Sequence, residues 1–349
     1  MLPVYRSTSN LPVCAILTYG FLRSRPDRQS HATLSNAHSS KKSGGGALHG
    51  PPCITFEGKR NPTMRIPHLA VVEGNTAETR QLQLAAGGSA YSASYADVLQ
   101  NLRDVKVDII YPTDEGELPS VDALGNLDGV VLTGSWLNIY NGGEAIDRQV
   151  ELMRRVFQSG TPFFGSCWGL QVATVAAGGT VRRNPRGREV GVAEPLRKTE
   201  AGQDHPLLRG KPDPYMALTV HLDEVESVAP GMTVLAGNSW SAVQAAEFSS
   251  GDSVGWAVQY HPEFSLRNIA GFVRRYGADL IAQGTLKDEA SVEQKAKSLE
   301  LCESAATGAS AAETLNLDDT VLSSASRTRE LTNWFDFLVL PTMTRRGRP

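Results

Sequence analysis

The stretch Thr161-Pro-Phe-Phe-Gly-Ser-Cys-Trp-Gly-Leu-Gln171 decides the fold: a short apolar run leads into a cysteine bracketed by two glycines, with a glutamine four residues on. Glycines two before and two after a nucleophile mark a sharp strand-to-helix turn, because side chains there collide as the backbone reverses. The pattern predicts a strand over 162–165, Cys167 standing exposed at its carboxyl end, and a helix over 168–177 stopped by Gly178-Gly179. The N-terminal N–H groups of that helix would favour the thiolate. Upstream, residues 66–72, 107–111 and 127–133 read as strands. Between them, Tyr95, Val98, Leu99 and Leu102, and then Ile146, Val150, Met153 and Phe157, recur at helical spacing. Strand-helix alternation of this length implies a doubly wound, mostly parallel α/β sheet.

Downstream the chain is richer in strands. Residues 216–222, 233–236, 243–248 and 254–260 follow one another through short turns, as an antiparallel extension would. A helix capped by Ser265, with Ile269, Phe272, Val273, Tyr276 and Leu280 on its buried stripe and Gly284 after it, closes the domain. At the end of the last strand stands Gln259-Tyr-His-Pro-Glu263. Pro262 biases His261 toward an extended conformation, so His261 and Glu263 project to one side. Cys167, His261 and Glu263 then have the makings of nucleophile, base and orienting carboxylate. Thr133-Gly-Ser135, Cys167 and His261 all fall at strand carboxyl ends, where such sheets bind ligands.

The motifs Gly165-Ser-Cys-Trp-Gly-Leu-Gln171 and Gln259-Tyr-His-Pro-Glu263 resemble the signature pair of class I, triad-type glutamine amidotransferases, especially the glutaminase domain of GMP synthase and its free-standing relatives. Leu132-Thr-Gly-Ser135 resembles the oxyanion loop, Arg188-Glu-Val-Gly191 a strand motif of free-standing members, and His221-Leu-Asp-Glu-Val225 another family stretch. The resemblance spans about 67–284. It implies a flavodoxin-like sheet and no cofactor or metal. It also implies that Cys167 attacks the side-chain amide of glutamine to form a thioester, with His261 shuttling protons and Glu263 orienting it. Backbone N–H groups near Gly134, Ser135 and Trp168 would hold the oxyanion, and Gln171 would touch the substrate. Gly134-Ser135-Trp136 stands where GMP synthases usually carry Gly-Gly-Pro, and Leu222 replaces a glycine. These two departures leave the γ-glutamyl substrate open. Two enzyme readings follow: a glutaminase delivering ammonia to a separate synthetase partner, or a γ-glutamyl peptidase or hydrolase. A regulatory protein with an idle triad is the non-enzymatic alternative. No phosphate loop or Ser-Gly-Gly-x-Asp-Ser pyrophosphatase loop occurs in the sequence, so no synthetase half is expected.

At 349 residues and 41% hydrophobic the chain can bury one large core. A net charge of -3 argues against bulk nucleic-acid binding, and no apolar run approaches the roughly 20 residues of a membrane span. Cysteines occur at 14, 53, 167 and 302, without metal-ligand spacing. Cys167 is the sole thiol in the region of resemblance, which fits a reducing, cytoplasmic setting. The expected organisation is a disordered leader or over-long start over 1–63, an amidotransferase domain over 64–285 and a helical, partly disordered tail over 286–349. The acid-poor, Ser- and Arg-containing leader has an organellar or export signal as its alternatives. In the tail, Leu331, Trp334, Phe335 and Leu338 form an apolar face on one or two surface helices, suited to docking on the core, with a partner as the alternative. Arg182, Arg183, Arg186 and Arg188 read as a solvated hairpin, and His221 beside Asp223 and Glu224 as a structural rather than a metal-binding cluster.

Overall fold

The computed structural model describes residues 65–85, 87–304 and 308–348, so the leader expected over 1–63 lies outside the described residues. The strands are β1 His68–Val72, β2 Lys106–Ile110, β3 Gly129–Leu132, β4 Phe163–Ser166, β5 Thr180–Arg183, β6 Glu189–Val192, β7 Arg197–Lys198, β8 Leu218–His221, β9 Asp223–Ser227, β10 Met232–Gly237, β11 Ala245–Ser250 and β12 Ser253–Val258. Eight of them form one sheet in the order β2-β1-β3-β4-β12-β11-β10-β7. The run from β2 to β12 is parallel and the run from β12 to β7 antiparallel. Successive residues alternate between the two faces. Ala70 and Val72 of β1 join one core cluster with Met153, Phe157 and Phe163, while Leu69 and Val71 join another with Tyr95, Phe164 and Trp334. Burial on both faces explains why β1 and β3 read as continuous apolar runs, whereas the edge strand β2 is only partly buried.

The structure differs from the sequence reading of this domain in three places. The segment expected as a strand over 216–222 does not extend the main sheet: β8 pairs with β6, and β5 with β9, in two small antiparallel sheets. Leu218 of β8 belongs to a third cluster with Phe264, Leu266 and Ile269, which draws this strand off the sheet. β12, expected at the antiparallel end, sits at the centre and runs parallel to β4. The closing helix is two, Leu266–Arg275 behind a capping box formed by Ser265 and Asn268, then Gly277–Ala282.

Beyond residue 285 the described chain holds helices Glu289–Cys302, Gly308–Leu315, Asp319–Leu322, Ser324–Arg327, Arg329–Trp334 and Leu340–Arg345, more than the one or two expected at the surface. Leu331, Trp334 and Phe335 are fully buried on the second face of the sheet. The Trp334 ring meets Phe164 edge-on at 6.2 Å. Only a glycine at 129 leaves it room, since a Cβ there would come within 2.7 Å of the indole.

Candidate active site

β4 delivers Cys167 and the helix Trp168–Ala176 carries the chain away. Cys167 itself has φ 51° and ψ -96°, a left-handed conformation costly for a residue with a Cβ. The flanking glycines are sterically required. A Cβ at Gly165 would lie 2.7 Å from the carbonyl carbon of Gly169, and one at Gly169 would lie 2.8 Å from the Leu132 oxygen. The turn therefore approaches closely enough to hold the thiol at the helix N-terminus, 3.7 Å from the Val220 carbonyl.

His261 and Glu263 follow β12 and face Cys167 across the cleft. The His261 Nδ1–H donates to Glu263 Oε1 at 2.7 Å, and both side chains are almost wholly buried. Nε2 is buried and has no hydrogen-bond partner among the described residues, which leaves it open to exchange a proton with the thiol or a substrate. The ring is clamped on both sides: Phe264 stacks on it at 4.2 Å, and the Gly134 backbone passes so close that a Cβ would stand 2.8 Å from its Cε1. Glu263 is positioned in turn. Its Oε2 accepts from the Ser166 hydroxyl at 3.0 Å, and Ser166 meets the buried Tyr95 hydroxyl at 3.0 Å.

Burial works against a charged imidazole, but the Glu263 carboxylate and the Cys167 side chain outweigh it and push the pKa of His261 up to about 10. The folded pKa lies above the ordinary 6.5, so the stability this proton contributes is fully present below about 6.5 and is lost as pH rises through about 10. The unfolding free energy is expected to fall with rising pH in that window, and Glu263→Gln to flatten the slope. Urea titrations at several pH values check this; an unchanged slope in Glu263→Gln would contradict it.

Gly134 and Ser135 lie in a loop held from the β1 side. Ser135 Oγ donates to the Gly74 carbonyl at 2.8 Å, and Asn75 Oδ1 accepts from the Trp136 N–H at 2.9 Å. Asn75 is fixed by the buried Glu73 carboxylate, which also accepts from the Ser92 N–H at 2.8 Å. Among the described residues no acceptor takes the backbone N–H of Ser135 or Trp168. Both are thus available to a ligand oxygen. Trp168 is itself anchored, its indole N–H donating to Gln149 at 2.7 Å.

Gln171, Ser135, Trp136 and Leu222 all line the cleft above Cys167. Gln171 Nε2 lies 3.4 Å from the Asp223 carbonyl oxygen. The Asp223 carboxylate accepts from Asn138 at 2.7 Å and Tyr140 at 2.9 Å, and its burial raises its pKa. His221 Nε2 faces Glu189 at 2.8 Å in the interior, and among the described residues no group of three or more metal-ligating side chains occurs. The arginine run is not uniformly solvated. Arg188 lines the cleft, paired with the Asp279 carboxylate at 3.1 Å and lying over the Tyr276 ring at 4.0 Å. The sequence reading missed Ser166, Tyr95, Phe264 and Asn75; of these only Ser166, next to Cys167, carried a positional signal.

Over residues 88–273 the chain matches the glutamine amidotransferase class-I family. It is 33% identical over 283 residues to the γ-glutamyl-L-1-hydroxyisopropylamide hydrolase of a Pseudomonas species, a match covering 80% of this chain and 95% of that protein. It is 32% identical over 168 residues to a glutamine-hydrolysing GMP synthase subunit of Methanoculleus marisnigri, covering 48% of this chain and 82% of that protein. The crystal structure of SMU.1228c shares its fold, with a TM-score of 0.52 at 19% identity over 77% of this chain and 98% of that one. The chain belongs to the class-I glutamine amidotransferase family, a family of amide-hydrolysing enzymes. Among the described residues no helix is long and apolar enough to cross a membrane.

Proposed function

We propose that this protein hydrolyses the side-chain amide bond of a γ-glutamyl compound through a cysteinyl thioester on Cys167. The observation that carries the reading is the cleft in which a strained cysteine faces an imidazole whose free nitrogen points inward and whose other nitrogen is held by a carboxylate. Cys167 Sγ attacks the γ-carbonyl carbon, and the oxygen takes the electron pair beside the N–H groups of Ser135 and Trp168. His261 Nε2 gives its proton to the departing nitrogen as the C–N bond breaks. Water then adds to the thioester while His261 takes its proton, the C–S bond breaks, and glutamate leaves. Gln171 contacts the γ-glutamyl part.

Two fates of the released nitrogen fit this chemistry. The free-standing hydrolase is supported by the likeness to the Pseudomonas γ-glutamyl amide hydrolase. Glutaminase activity coupled to a separate synthetase is the second reading, supported by the likeness to a GMP synthase subunit from Methanoculleus marisnigri. The free-standing hydrolase is preferred because its match is longer than the family domain over 88–273 and takes in nearly all of the Pseudomonas protein. A free thiol nucleophile suits a reducing compartment such as the cytoplasm. The test is glutamate release by the purified full chain from γ-glutamylethylamide and from glutamine, each alone. Cys167-dependent release from the ethylamide without any added protein supports the hydrolase. Release from glutamine only points to an uncoupled glutaminase, and silence on both from folded protein overturns the free-standing hydrolase.

A further inference from the structure

The cleft over Cys167 is lined by both polar and aromatic side chains. Asn138, Gln171 and Asp223 give it a polar part, Tyr91, Trp136 and Phe272 an aromatic part, and Arg188 lies over the Tyr276 ring at 4.0 Å. The polar part centres on Asp223, whose carbonyl meets Gln171 and His221 and whose carboxylate takes two donors. It suits the charged amino-acid end of a γ-glutamyl group.

The aromatic part is continuous with the base. Phe264, stacked on the His261 ring, touches Phe272 at 5.2 Å and Tyr91 at 5.9 Å between ring centroids. Trp136 closes this wall and is held from three directions. Its backbone N–H donates to Asn75 at 2.9 Å, its indole N–H to the Tyr91 hydroxyl at 2.9 Å, and the Arg275 guanidinium covers its ring at 3.5 Å. These contacts fix the indole before any ligand arrives, which lowers the ordering cost of binding.

Resting on the γ-glutamyl hydrolase reading above, we infer that Trp136, Tyr91 and Phe272 form the subsite for the departing amine and select γ-glutamyl amides of small, neutral, carbon-bearing amines over glutamine. The reaction itself supplies the orientation. His261 must protonate the departing nitrogen, so whatever that nitrogen carries lies on the His261 side of the scissile bond, against the aromatic wall. Ammonia would leave that wall uncovered, whereas an alkyl substituent buries against it. Arg275, on the outer face of Trp136, repels a cationic amine.

The test compares kcat/KM for glutamine, γ-glutamylethylamide and γ-glutamylglycine in the wild-type chain, Trp136→Ala and Trp136→Phe, with thermal melts to check folding. The wild type is expected to favour the ethylamide over glutamine by about tenfold or more, the range that one or two buried methylenes command. Trp136→Ala should reduce that ratio about tenfold, and Trp136→Phe should restore most of it. Four results overturn the assignment while leaving γ-glutamyl hydrolysis standing: preference for glutamine; preference for γ-glutamylglycine, which would assign the subsite to a carboxylate; a Trp136→Ala ratio equal to wild type; or equal losses on every substrate, the mark of a merely structural role. Absence of glutamate release from all three compounds overturns the hydrolase reading and this inference together.

Discussion

Replacing Cys167 with glycine is expected to make the protein inactive and more stable at once. Loss of an essential nucleophile in a relay of this kind costs on the order of 10⁶ in kcat, with what remains coming from oxyanion stabilisation and binding alone. The gain in stability has a separate cause. Cys167 is held at φ 51° and ψ -96°, where a Cβ is crowded by its own backbone. Such strain is worth about 1–3 kcal/mol, and glycine removes it. Glycine also gives the unfolded chain more freedom, which offsets about 0.4–1 kcal/mol. The net gain is about 1 kcal/mol, a rise of a few degrees in Tm for a domain of this size. Cys167→Ala is the matched control: it removes the same sulfur but keeps the Cβ and its strain. Melting curves of the two variants should separate, with glycine higher. A glycine variant no more stable than the alanine variant would mean that the elbow stores no strain.

That elbow was legible in the sequence because its constraint is local. The close contacts that force glycine at 165 and 169 arise within one turn of chain, except for the passage of Leu132. The approach of His261 to Glu263 was legible for the same reason, since two residues of extended backbone set it. What supports these groups was not. The Ser166–Glu263 bond joins residues 97 apart and the Tyr95–Ser166 bond residues 71 apart. The Asn75 amide that braces the Ser135 loop is 60 residues from it. Nothing in the neighbourhood of Tyr95 or Asn75 distinguishes them from any helix or loop residue; tertiary packing alone gives them partners. The misplaced β8 has the same origin. Its alternating pattern correctly indicates a strand, but the choice between the main sheet and a separate pair with β6 depends on where Phe264, Leu266 and Ile269 gather.

The tail shows a further limit of local pattern, and its attachment leads to the second large effect. The fully buried Glu330, on the helix Arg329–Trp334, forms an ion pair with Lys211 at 3.0 Å, where neither side chain reaches solvent appreciably. The same carboxylate oxygen accepts from the Tyr260 hydroxyl at 2.8 Å, and Tyr260 meets Tyr215 at 3.1 Å. Lys211 is completed by the Ser326 carbonyl at 3.1 Å. Tyr260 immediately precedes His261, so the tail is tied to the strand end that carries the proposed base. Removing one partner leaves the other charge buried and unpaired, which costs about 3–5 kcal/mol, whereas replacing both with apolar groups of similar volume is often close to neutral. Glu330→Leu alone should therefore destabilise the protein severely, and adding Lys211→Met should recover most of the loss. Urea denaturation of the single and double variants measures the difference. If the double variant were as unstable as the single one, the cost would come from Tyr260 losing its acceptor rather than from the stranded ammonium. Recovery of stability without recovery of kcat would in turn show that the Glu330–Tyr260 bond, and not the charge pair, sets the position of His261.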